Sequence, residues 1–154
     1  RPGELLGRRW ADIKGGTVYI SRAVNILGEE TQGKNQNAIR AFALSERARA
    51  VLDEQREATG AGESVFELVS EAYYYKRWQV YCKANGIPPI SVYELRHSFV
   101  SVIKSLPAGE VKGLVGHSQS MDTFGVYSHA LSGDAAATAD DVNAAFDRVL
   151  GREI

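Results

Sequence analysis

The chain has 154 residues, of which 44% are hydrophobic and 24% charged, and its formal net charge is −1. This length suits one domain with one sizeable core, and the composition is ordinary for a globular protein. No apolar run approaches the roughly 20 residues that a membrane-spanning helix needs. The single cysteine, Cys82, excludes a disulfide within this sequence and favours a reducing cytoplasm.

Charge is unevenly distributed along the chain. Residues 131–154 carry five acidic and two basic residues, a net charge of −3, whereas residues 1–130 carry 14 acidic and 16 basic residues, a net charge of +2. An acidic tail therefore follows a mildly basic body. Such a body permits DNA binding but does not indicate it.

The N-terminal part of the chain predicts one helix and a small sheet. Residues 2–9 are predicted to be helical, with a proline suited to the first turn. The segment TVYISRAVNI at 17–26 is rich in β-branched residues and predicts a strand after the KGG turn at 14–16. A second strand is predicted at 38–44. The polar, glycine-punctuated segment 27–37 between them is predicted to be a loop or hairpin tip.

The rest of the chain predicts helices only. Ser45 is a suitable N-cap, and Ser91 with Glu94 three residues later forms a capping-box pattern. Helices are predicted at about 46–58, 70–86, from Ser91 onward, 108–115, 120–128 and 138–150. A helix, a small antiparallel sheet and then helices predict an α+β fold, a mostly helical single domain with the sheet near its N-terminus.

Six side chains could act on an anionic ligand: Arg1, Lys34, Tyr93, Arg96, His117 and Tyr127. Tyr93 and Arg96 are three residues apart and so share a helix face, and Arg1 stands at a helix start, where anions are favoured. Each residue alone has a simpler interpretation as a surface cation, a capping histidine or a packing tyrosine. Their order along the chain is what makes them notable.

That order resembles the catalytic domain of the tyrosine recombinases, the phage-integrase family. The motifs are RPGELL at 1–6, a lysine in a hairpin loop, ELRHSF at 94–99 and LVGH at 114–117, followed by a tyrosine ten residues later. The resemblance covers residues 1–130 as a truncated catalytic domain. It implies that residues 131–154 are an acidic helical tail.

The resemblance implies a role for each residue. Arg1 and Arg96 match the family's two catalytic arginines, Lys34 matches the lysine of the β-hairpin, and Tyr127 matches the nucleophile. Because the family has more chain and a DNA-clamping domain before its first arginine, we expect this chain to be a C-terminal fragment. We expect it to be weak or inactive alone.

Tyr93 departs from the family pattern, which usually has a histidine at this position. A tyrosine hydroxyl can still donate a hydrogen bond, but it does not become cationic. His117, at the family's later His/Lys position, is therefore the better candidate for proton transfer.

The implied function is site-specific DNA recombination, the integration or excision of a mobile element, through a 3′-phosphotyrosine intermediate. The implied partner is double-stranded DNA, bound by a homotetramer in the intact protein, with no membrane, metal, nucleotide or other small-molecule cofactor. The implied location is the nucleoid in the cytoplasm of a bacterium, for a bacterial or phage-encoded protein. Two guanidiniums suit such a reaction because each is always charged and can hold two phosphate oxygens.

Other interpretations remain open. A type IB topoisomerase-like domain would use the same chemistry for DNA relaxation, although the short spacing between His117 and Tyr127 favours the recombinases. A catalytically inactive integrase remnant would act only as a DNA-binding or interaction module, which Tyr93 and the near-neutral charge favour. A helical interaction domain without a DNA role would have to hold the six residues in family order by chance.

The tail itself has two interpretations. Val142, Ala145, Phe146 and Val149 fall on one face of the predicted helix. This face packs either on its own domain or, as family tails often do, on a neighbouring subunit.

Overall fold

The computed structural model describes residues 1–31, 39–60, 62–116 and 133–151. Its helices are α1 (Pro2–Leu6), α2 (Glu46–Thr59), α3 (Glu71–Ala84), α4 (Val92–Val102), α5 (Ala108–Val115) and α6 (Gly133–Leu150). Its strands are β1 (Ile13–Lys14), β2 (Thr17–Ile20), β3 (Ala23–Val24), β4 (Glu30–Thr31) and β5 (Arg40–Ala43). This arrangement confirms the predicted α+β domain, mostly helical with a small antiparallel sheet. None of the helices in the described ranges is long and apolar enough to span a membrane.

The sheet is built on the KGG turn. Gly15 and Gly16 both have positive φ, 56° and 75°, which a tight two-residue hairpin needs and glycine adopts without strain. The turn joins β1 to β2, and β2 pairs in antiparallel fashion with β5, so the strand order is β1-β2-β5.

The structure divides the strand predicted at 17–26. β2 ends at Ile20, and β3 pairs instead with β4 in a separate two-stranded sheet. β4 lies within the segment 27–37, for which the sequence predicts a loop or hairpin tip. These short strands have few residues each, so alternation in the sequence gives little signal for where one ends.

One face of the larger sheet is covered by α2. Ser45 caps this helix as predicted, because its hydroxyl accepts a hydrogen bond from the Ala48 N–H at 3.3 Å. The buried residues of this cluster are Val18, Ile20 and Leu44, and the partly buried ones are Ile13, Phe42, Ala48 and Leu52. The packing fixes β5, whose first residue is Arg40, relative to the rest of the sheet.

The second core cluster joins α4, α5 and α6. Ile103, directly after α4, is fully buried and packs with Leu106 and with Val142 and Ala145 of α6. Arg47 of α2 forms an ion pair with Asp147 of α6. The acidic helix therefore packs on its own domain through Val142, Ala145 and Phe146, whereas Val149, predicted on the same face, is 64% exposed.

The start of α4 is as predicted, whereas α1 and α6 differ from the prediction in their bounds. Ser91 accepts a hydrogen bond from the Glu94 N–H at 3.2 Å, and the Glu94 carboxylate accepts one from the Ser91 N–H, so the predicted capping box is present. α1 ends at Leu6 rather than at residue 9, and α6 begins at Gly133 rather than at 138. The helix predicted at 120–128 lies outside the described residues.

Candidate functional site

Three arginines meet at the C-terminal end of α5. Arg40 Nε donates to the Leu114 carbonyl at 3.2 Å. Arg96 Nη2 donates to the Val115 carbonyl at 2.5 Å, and Arg1 Nη2 donates to the Gly116 carbonyl at 2.9 Å. The last carbonyls of a helix have no partner within it and lie at the negative end of its dipole. Three guanidiniums from β5, α4 and the start of α1 therefore cap three consecutive carbonyls.

Gly116 makes this convergence possible. It ends α5 in the left-handed conformation, with φ 66° and ψ 46°, and its N–H donates to the Lys112 carbonyl. A Cβ atom at this position would lie 3.0 Å from Nη1 of Arg40. Glycine thus serves both the helix end and the close approach of the guanidinium.

Glu4 connects two of the three arginines. Its carboxylate is bound by both Nη atoms of Arg40, at 2.7 and 3.0 Å, and by Nη1 of Arg1 at 3.0 Å. Burial raises the pKa of this carboxyl, but the hydrogen bonds and charge of Arg40, with the contribution of Arg1, outweigh it and lower the pKa from 4.5 to about 2. Glu4 is therefore ionised at neutral pH.

The cluster has an excess of positive charge. The cluster holds three guanidiniums, two of which bind the carboxylate of Glu4, so these four side chains carry a net of two positive charges. Burial lowers the pKa of Arg96, and the charges of Arg1 and Arg40 lower it further. An arginine stays protonated even so, and a bound anion would relieve the repulsion between these cations.

A cleft of about 260 Å³ opens beside the arginines. Its polar lining includes Arg1, Arg96, Tyr93 and Tyr74, and the remaining lining is mostly apolar. Tyr93 is 54% exposed, and its ring meets the ring of His97 edge-on at 5.0 Å between centroids. Burial raises the pKa of Tyr74. The cleft thus offers cationic and phenolic donors side by side.

The structure brings together three of the six predicted site residues. Arg1, Tyr93 and Arg96 line one cleft although up to 95 positions separate them in sequence. Lys34, His117 and Tyr127 lie outside the described residues. In sequence, however, His117 directly follows Gly116, whose carbonyl Arg1 binds.

Sequence reasoning missed Glu4 and Arg40. Glu4 had a usable signal, since a carboxylate three residues after an arginine at a helix start shares a face with it. Arg40 had none, because an arginine in a short, partly alternating strand is ordinary. Only the contacts of Arg40 with Glu4 and with the Leu114 carbonyl show that it belongs to the cluster.

The chain matches no protein-family model and no curated protein. Its assignment to a family is therefore a proposal that depends on its own residues.

Proposed function

We propose that this chain is a DNA strand transferase of the tyrosine-recombinase type. It would cleave and rejoin double-stranded DNA through a 3′-phosphotyrosine at Tyr127, in the course of site-specific recombination. The observation that carries the proposal is the convergence of Arg1 and Arg96 at one cleft, on the two carbonyls that directly precede His117.

The two arginines suit a phosphodiester. Among the described residues, Arg96 donates one side-chain hydrogen bond and Arg1 donates two. A guanidinium has five N–H donors, so both have donors left for the non-bridging oxygens of a phosphate. Fixed positive charge at these oxygens stabilises the negative charge that builds up in a pentacovalent transition state.

The proposed cleavage step conserves atoms and charge. The phenol oxygen of Tyr127 forms a bond to phosphorus as the bond from phosphorus to the 5′ oxygen breaks. His117 accepts the phenol proton, and Lys34 gives a proton to the departing 5′ oxygen. The reverse step, with a 5′ hydroxyl from another strand, rejoins the DNA and regenerates the tyrosine, so no nucleotide is consumed.

Tyr93 would act as a neutral donor in this site. It lines the cleft with Arg1 and Arg96, and its hydroxyl can donate one hydrogen bond to a phosphate oxygen. A histidine there could supply a positive charge as well. The excess of positive charge from the arginine cluster makes that additional charge less necessary.

The test is to trap the covalent adduct. The chain is incubated at low salt with a library of nicked duplexes, and denaturant-stable complexes are resolved by electrophoresis. Because the chain alone is expected to be weakly active, we expect an adduct in low yield with the wild-type chain at high concentration, and none with Tyr127→Phe. Tyr81→Phe is the matched control, because Tyr81 is an exposed tyrosine on α3 and its loss leaves the site intact.

Three outcomes would contradict the proposal. An adduct that survives in Tyr127→Phe would make another residue the nucleophile. A wild-type chain that binds the duplexes without forming an adduct would support the alternative, an inactive DNA-binding module. Binding that does not weaken as salt rises would count against a phosphate-backbone interface altogether.

A further inference from the structure

We propose that Arg40 is a positioning residue, which holds Arg1 through Glu4 and fixes the last turn of α5 against the site. Its catalytic consequence rests on the proposed function. Arg40 is not one of the described residues that line the cleft, whereas Arg1 and Arg96 are. Apart from its share of the positive charge of the cluster, Arg40 would therefore act on a bound phosphate through its neighbours.

The first contact of Arg40 is a bidentate ion pair. Its Nη2 lies 2.7 Å from Oε2 of Glu4, and its Nη1 lies 3.0 Å from Oε1. Both side chains are nearly buried, with exposures of 10% and 8%. Two parallel hydrogen bonds fix the orientation of a carboxylate as well as its position.

The same carboxylate orients Arg1. Oε1 of Glu4 accepts from Nη1 of Arg1 at 3.0 Å, while Arg1 itself is far more exposed, at 37% of its side chain. An exposed arginine samples many rotamers unless a partner holds it. Glu4 therefore holds the guanidinium of Arg1, and Arg40 in turn holds the carboxylate of Glu4.

The second contact of Arg40 is with α5. Its Nε donates to the Leu114 carbonyl, and its guanidinium lies so near Gly116 that an added Cβ would be 3.0 to 3.3 Å from three of its atoms. One planar group thus binds two elements in different directions. A lysine could keep the charge but has no fixed fork with which to hold both.

The location of Arg40 makes the arrangement rigid. It is the first residue of β5 and stands opposite Ile20 of β2, which belongs to the core of the sheet. Through Arg40 the sheet is joined to α1, which carries Glu4, and to α5, whose C-cap Gly116 directly precedes His117. Geometry at Arg1 and at Gly116 is consequently set by one side chain.

The first test does not depend on activity. The Nε–Hε signals of the arginines are recorded by NMR on the ¹⁵N-labelled chain and assigned with Arg1→Lys and Arg96→Lys. We expect Arg40→Lys to fold but to shift and broaden the Arg1 signal. The control is Arg9→Lys, which removes a guanidinium that pairs with Glu30 and Glu63 away from the cluster and should leave that signal unchanged.

A second variant, Glu4→Gln, provides a test if Arg40→Lys does not fold. Glu4→Gln keeps Arg40 but removes the carboxylate that both Arg40 and Arg1 bind, so it should also alter the Arg1 signal and tests the Glu4 part of the link. If the Arg1 signal of a folded Arg40→Lys or Glu4→Gln chain coincides with that of the wild type, Arg40 does not position Arg1 and the inference is overturned.

The second test measures the rate of adduct formation in a single turnover. We expect Arg40→Lys to slow this step by about 100-fold, as small displacements of positioned groups do, with little change in DNA affinity. An unchanged rate would overturn the catalytic part of the inference while leaving the proposed function intact. A wild-type chain without an adduct would refute the proposed function instead, and the NMR result would still decide whether Arg40 positions Arg1.

Discussion

Replacing Glu4 by glutamine should make the free energy of unfolding depend much less on pH in the acid range. The carboxyl of Glu4 has a pKa of about 2 in the folded chain against an ordinary value of 4.5. Each factor of ten in acid strength corresponds to about 1.4 kcal/mol, so the ionised carboxylate stabilises the fold by about 3 kcal/mol. The loss expected on breaking a buried ion pair, about 3–5 kcal/mol, is of the same size.

The sign follows from the lowered pKa. Because the folded chain binds this proton less readily than the unfolded chain, the contribution is complete at neutral pH. It is lost as the pH falls from 4.5 towards 2. At neutral pH, Glu4→Gln should therefore unfold with a free energy about 3 kcal/mol below that of the wild type, and the two should converge in acid.

Urea unfolding at a series of pH values would measure this difference. The matched control is Glu54→Gln, which removes an exposed carboxylate from α2 and should change stability little at any pH. If the curves of the wild type and Glu4→Gln stay parallel from neutral pH into acid, the carboxylate is not held by Arg1 and Arg40 in solution, and the site as described is wrong.

Two further substitutions are Gly116→Ala, which tests the end of α5, and Ile103→Ala, which tests the core. Gly86→Ala is the control for the first. Gly116→Ala and Gly86→Ala both place an alanine at positive φ, 66° and 64°, for a cost of about 1–2 kcal/mol. Gly116→Ala should cost more, because only its Cβ meets Arg40, and equal losses in urea unfolding would exclude that contact. Ile103→Ala should lower the free energy of unfolding by about 2–5 kcal/mol, because Ile103 is fully buried between α4 and α6. A loss within about 0.5 kcal/mol, as at a surface position, would show that α6 does not pack there.

Much of the helical part could be predicted from local signals. Ser45 and Ser91 have the side-chain oxygens that the free N–H groups of a helix start require, and both caps are present. The KGG turn likewise follows from the need for positive φ at two successive positions. Each of these features depends on residues within four positions of one another, so it can be predicted from the sequence.

Local signals in the sequence could not predict the strand boundaries, nor could they identify Glu4 and Arg40 as part of the site. Where β2 ends and β3 begins is decided by which strand each one pairs with, and β5 is distant in sequence from β2. Glu4 and Arg40 are 36 positions apart and form the most enclosed ion pair of the site. No local pattern distinguishes such a pair from two surface charges.

By itself the sequence determined the α+β class and the main helices with their caps, and it predicted a set of residues for phosphate chemistry, because these depend on residue type and short spacing. Only the tertiary structure decided that Arg1 and Arg96 meet at one cleft. It also decided that Glu4 pairs with both Arg1 and Arg40 and that the acidic helix packs on its own domain. These features depend on contacts between distant segments, whose free energy comes from burial and charge pairing in the folded chain.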